Sequence, residues 1–78
     1  MKIRLRYFGM IAESAGKNDE VLELNDGISA KELKARQIER FELPDPESVQ
    51  IAVNQNLEEE VELKDGDEVA FLPPFAGG

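Results

Sequence analysis

The sequence predicts an α+β domain, a mixed sheet of four to five strands covered on one face by one main helix. Three observations lead there. Both ends of the 78-residue chain alternate apolar and polar residues with the period of a half-buried strand, "KIRLRY" at 2–7 and "EVAFL" at 68–72. Between them, "SAKELKARQIERF" at 29–41 carries helical periodicity and its own start signal. A chain of 78 residues is also near the lower limit for one hydrophobic core, which leaves no room for a second domain.

The first strand places Ile3, Leu5 and Tyr7 on one face and Lys2, Arg4 and Arg6 on the other, where they are expected to pair with acidic residues of neighbouring strands. After Phe8-Gly9, "MIAESAG" reads as a short helical turn at most, and "EVLEL" as a second strand with Leu22 and Leu24 in phase. The helix begins at Ser29 as N-cap, with Glu32 completing a capping box and Ile28 and Leu33 spaced as a hydrophobic staple. Its apolar stripe is Ala30, Leu33, Ile38 and Phe41, and Pro44 prevents continuation. A third strand follows with Val49, Ile51 and Val53 in phase, and Asn54-Gln55-Asn56 turns the chain. Residues 57–63 hold a short strand or an irregular edge, "EEEVE" at 58–62 being a solvated face, before Asp65-Gly66 turns into the last strand. Pro73 stops the ladder because it has no N–H to donate. Strand, strand, helix, strand, turn, strand is the element order of a β-grasp, the ubiquitin-like fold, with the last strand parallel to the first. The expected division is a β-grasp domain at 1–72 and an extended tail at 73–78.

Two apolar residues fall out of phase. Phe8 belongs by alternation with Lys2, Arg4 and Arg6, and Leu72 lies opposite Val69 and Phe71. If the first and last strands are parallel neighbours, both residues sit on the uncovered face where the tail departs, and Leu57 can extend the patch. Exposed apolar clusters of this kind mark interaction sites.

Composition excludes several functions. Cysteine and histidine are both absent, which removes disulfides, thiolate or imidazole metal sites, a cysteine nucleophile and the readiest proton-transfer side chain near neutral pH. A formal charge of −8 is the wrong sign for nucleic acid or an anionic membrane surface, and a basic protein partner suits it better. With no apolar run for a signal peptide or membrane span, the expectation is a soluble, cytoplasmic protein.

The tail, "PPFAGG", has a reason for each residue. Pro73 and Pro74 hold the exit extended and limit the entropy lost when it threads into a partner. Phe75 offers an anchor. Gly77 and Gly78 lack Cβ atoms, so a narrow channel can close around the backbone while the terminal carbonyl stays open to attack. Six residues span at most roughly 20 Å. A terminal carboxylate with a pKa of about 3.5 is ionised at neutral pH and must be activated before it reacts.

The blocks "LRYFGMIAESAG" at 5–16, "AVNQ" at 52–55 and above all "LKDGDEVAFLPPFAGG" at 63–78 resemble the ubiquitin-like sulfur-carrier family, which includes the small subunit of molybdopterin synthase. The resemblance covers nearly the whole chain. It implies that an adenylating enzyme of the ubiquitin-activating type uses ATP to convert the Gly78 carboxylate to an acyl-adenylate. Sulfur relayed from a donor such as a cysteine desulfurase then replaces the adenylate to give a thiocarboxylate. The tail would deliver that sulfur to a cyclic pyranopterin monophosphate in the large synthase subunit, in an assembly of two small and two large subunits. Catalytic residues are expected on that partner, with no cofactor bound by this chain. Phe8, Leu57, Leu72 and the tail residues Pro73, Pro74, Phe75, Ala76 and Gly77 would meet partners. The chain departs from the family at Ala12, where relatives often carry arginine, and at Phe75, where smaller residues are common. The same Gly78 chemistry would serve a carrier for thiazole, cysteine or tRNA thiolation, or a ubiquitin-like modifier joined to lysines by an isopeptide bond.

Overall fold

The computed structural model describes residues 1–74. Its strands are β1 (Lys2–Tyr7), β2 (Asp19–Glu23), β3 (Gln50–Val53), β4 (Asn56–Leu57) and β5 (Glu68–Leu72), with helices α1 (Gly9–Ala15) and α2 (Ala30–Phe41). The five strands form one mixed sheet in the order β2-β1-β5-β3-β4. β1 and β5 run parallel at its centre, with Tyr7 beside Phe71, and every other pairing is antiparallel. This is the β-grasp topology expected from the element order.

The covered face is built from alternate strand residues. Ile3 and Leu5 of β1, Val69 and Phe71 of β5, and Leu33 of α2 are all fully buried. Tyr7 meets Phe41 edge-on at 5.5 Å between ring centroids and Phe71 at 5.4 Å, geometries favoured by the ring quadrupole. α2 starts as its sequence requires: the Glu32 N–H donates to Ser29 Oγ at 3.1 Å and the Ser29 N–H donates to Glu32 Oε1 at 3.3 Å. Ile28 and Leu33 are buried in the same core. The helix ends where Glu42 adopts a left-handed conformation, its N–H donating to the Ile38 and Glu39 carbonyls.

Three expectations need correction. The "MIAESAG" stretch is a seven-residue helix rather than a single turn, because Ile11 anchors it in the core, Ala12 and Ala15 pack behind, and Gly16 caps it in the left-handed region. The apolar stripe of α2 also includes Gln37, which is buried because its amide finds a partner in the Tyr7 hydroxyl at 2.8 Å. Lys2, Arg4 and Arg6 do face Glu23, Glu68 and Asp19 across the strands, yet none forms an ion pair among the described residues. Exposed pairs gain little in water and cost side-chain freedom.

Residues 57–63 are an irregular edge. After β4 the chain meets the start of α2 at an isolated bridge between Glu62 and Ser29, and Leu63 is buried. Lys34 pairs with Glu59 at 3.2 Å, while Glu58, Glu60 and Glu62 are exposed. The Asp65-Gly66 turn clamps the start of β5 to β1, since the Lys2 N–H donates to Asp65 Oδ1 at 2.7 Å and the Gly66 N–H to the Lys2 carbonyl at 2.8 Å. Among the described residues, no helix is long and apolar enough to cross a membrane.

Candidate functional site at the root of the tail

The parallel pairing of β1 and β5 brings their C-terminal ends together. Beyond the Tyr7–Phe71 register pair, the Phe8 N–H donates to the Phe71 carbonyl at 3.2 Å, which sets Phe8 beside Leu72. Both side chains stay out of the core: Phe8 is 37% exposed and Leu72 is half-buried on the uncovered face. Leu57, 59% exposed, reaches the same face through the register Leu57, Ala52, Ala70, Arg6 across four strands. Phe8, Leu57 and Leu72 therefore line one shallow groove, floored by Ala52 and Ala70.

The sequence reading missed parts of this surface. Ala52 and Ala70 matter because small residues at adjacent positions lower the floor between the larger apolar groups, and their shared phase was visible in the strands. Arg6 sets its guanidinium 5.2 Å from the centre of the Phe8 ring, within reach of a cation–π contact. Met10, 55% exposed, opens a second apolar cleft with Ile11, Pro44, Val49, Pro73 and Pro74. Gly9 lies beneath Pro73, a contact that only the tertiary structure shows.

A polar cluster braces the covered side. Tyr7 accepts from Gln37 and donates to Glu20 Oε2 at 2.5 Å, and Glu20 also takes Arg40 at 2.9 Å and Lys17 at 3.3 Å. Burial, and then the hydrogen bond to the Glu20 carboxylate, push the Tyr7 phenol well above its usual range. Burial works against the Glu20 charge, but hydrogen bonds from Tyr7, Arg40 and Lys17 outweigh it and hold the carboxyl below its ordinary value. These groups tie β1, β2 and α2 together and present no open acid or base. Among the described residues no cluster of carboxylates is placed to hold a metal ion.

Of the tail, Pro73 is half-buried and Pro74 exposed. Phe75, Ala76, Gly77 and Gly78 lie outside the described residues.

The model of the ThiS family matches residues 5–78. The chain belongs to the ThiS family. Its relatives include the molybdopterin synthase sulfur carrier subunit of Chlamydomonas reinhardtii, 37% identical over 83 residues that span the whole of both chains. Among solved structures, the complex of subunits 1 and 2 of molybdopterin-converting factor from Helicobacter pylori contains a similar chain, with a TM-score of 0.70 and 32% identity over all of both chains. SAMP1 from Haloferax volcanii matches with a TM-score of 0.77 over all of both chains, but at 18% identity it shows the shared fold alone. For this ThiS-family chain, the match runs through the uncovered groove, the root of the tail and Gly78.

Proposed function

We propose that this chain is the sulfur-carrier subunit of a molybdopterin synthase, with the Gly78 carboxyl group as its reacting centre. The observation that carries the reading is the end-to-end relationship to the Chlamydomonas sulfur carrier subunit. The geometry supports it, since an exposed apolar groove adjoins the point where a stiff Pro73-Pro74 exit leaves the domain. An adenylating enzyme of the ubiquitin-activating type joins the Gly78 carboxylate to the AMP moiety of ATP and releases pyrophosphate. Sulfide displaces AMP and leaves a thiocarboxylate directly. Where the donor is the persulfide of a cysteine desulfurase, its terminal sulfur displaces AMP to give an acyl disulfide, which a thiol then reduces to the thiocarboxylate, the donor and that thiol ending as a disulfide. In the large synthase subunit the thiocarboxylate sulfur bonds to the cyclic pyranopterin monophosphate, and water then cleaves the acyl–sulfur bond, leaving the sulfur on the pterin and regenerating the Gly78 carboxylate. Phe8, Leu57 and Leu72 dock the domain on the large subunit, in an assembly of two small and two large subunits, while residues 73–78 thread into its active site. ATP serves the activating enzyme, and the carrier itself needs no resident cofactor.

The test is the intact mass after incubation with ATP, a sulfide source and the organism's adenylating enzyme. Exchange of one oxygen for sulfur, localised to Gly78, is expected, and deletion of Gly77 and Gly78 should abolish it with the fold unchanged. An unchanged mass, with an enzyme shown to charge another carrier, would overturn the reading. A ladder of covalent protein adducts on immunoblots, without a thiocarboxylate pool, would replace it with the modifier chemistry.

A further inference from the structure

Pro73, the first residue past β5, rests on Gly9. A Cβ added to Gly9 would lie 3.2 Å from Pro73 Cγ, 3.8 Å from its Cδ and 3.9 Å from its Cβ, so the ring fills the space that a side chain at residue 9 would take. Gly9 also has a φ of +57°, in the left-handed region, where the chain reverses from β1 into α1. The residue before it, Phe8, is tied to the Phe71 carbonyl at 3.2 Å. The turn out of β1 and the exit from β5 are thus stacked on each other. Gly16, Gly27 and Gly66 also have positive φ, yet a Cβ on any of them meets nothing within 4 Å. At those three positions backbone conformation alone favours glycine; Gly9 carries a second demand, contact with the root of the tail.

From this difference we infer that Gly9 is a positioning residue for the reacting terminus, which it serves by seating Pro73 and setting the direction in which the tail leaves the domain. The five residues after Pro73 reach at most roughly 17 Å, so the direction of exit at Pro73 sets where that reach is centred. A defined exit also reduces the orientational freedom lost on threading, so its removal acts mainly on capture of the tail and less on the chemical step.

Gly16→Ala is the matched control, because it places a Cβ at a φ of +75° with no neighbour to disturb. The chain has no cysteine, so spin labels can be placed at Arg36→Cys and Ala76→Cys. Gly9→Ala should shift or broaden the distance distribution between the labels and Gly16→Ala should not, although both lower the thermal midpoint by a similar amount. Pro73→Ala should also change the distribution, and Gly9→Ala should add nothing further in that background. In unlabelled protein, Gly9→Ala should raise the KM for charging by the adenylating enzyme about tenfold, with kcat within about threefold; Gly16→Ala should leave both unchanged.

Identical distances in the parent and Gly9→Ala, or equal effects of Gly9→Ala and Gly16→Ala, would overturn the inference. Should Gly9→Ala fail to fold, Pro73→Ala decides alone, and an unchanged distance overturns the seat. The charging readout rests on the sulfur-carrier reading, whereas the distance readout does not. A distance that changes between the labelled parent and its Gly9→Ala variant, together with a parent chain that is never charged, would leave the seat standing and remove the carrier.

Discussion

On the face covered by α2, Ile3, Leu5, Tyr7, Ile51, Val69 and Phe71 are no more than 2% exposed, while the other face of the same sheet leaves Phe8 at 37% and Leu57 at 59%. Adjacent residues of one strand thus answer to different demands. On the covered side each side chain is enclosed by neighbours that cannot collapse around a void. On the open side Arg4, Arg6, Ala52, Ala70 and Leu72 are not needed to fill the core, so the apolar members of that surface are free to serve a partner. The covered face holds the core, and the proposed function assigns recognition to the open one.

Substitutions can test that division, beginning with the largest expected effect. Phe71→Ala should cost about 3–5 kcal/mol, measured by urea denaturation; a loss below about 1 kcal/mol would mean that the covered face is not the core. Tyr7→Phe keeps the ring but strips Gln37 and Glu20 of their shared hydroxyl, and a loss of about 1–3 kcal/mol is expected by the same method. Ser29→Ala removes the N-cap acceptor of α2 and should cost about 1 kcal/mol, with Ser29→Gly costing only a few tenths on that scale.

The Glu20 cluster makes a prediction in pH. Its folded-state carboxyl lies below the ordinary value of 4.5, so its contribution is complete above that value and is lost as the pH falls through the lower folded one. Acid titration of stability should therefore show a smaller decline below pH 4.5 for Glu20→Gln than for the parent. Equal declines would place the acid sensitivity elsewhere. The smallest effect on folding is expected on the open face, where Leu57→Ser should change stability by less than about 0.5 kcal/mol. The same change should weaken binding to the large synthase subunit about tenfold by calorimetry. Unchanged binding would remove Leu57 from the docking surface.

Legibility in the sequence followed the range of the interaction responsible. The capping box of α2 spans four residues and was readable in full. The strand phases are equally local, and they place Phe8 and Leu72 on the uncovered face, with Leu57 named only as an extension of that patch. Helix α1 was underestimated because its anchor is the single buried Ile11 between two glycines, too sparse a pattern to show a period. Gln37 was missed because its partner Tyr7 is 30 residues away. The acids opposite Lys2, Arg4 and Arg6 were predicted in kind, but register alone does not make an ion pair in water.

By itself, then, the sequence determined the elements, their covered and open faces, and the stiff tail that ends in Gly77-Gly78, because alternation, capping and proline stereochemistry act within a few residues. Only the tertiary structure decided that Leu57 shares a groove with Phe8 and Leu72, that Tyr7 links Gln37 to Glu20, and that Pro73 sits on Gly9. Each of those contacts closes a loop between strands or helices distant in sequence, and its geometry depends on the parallel register of β1 and β5, which no local pattern encodes.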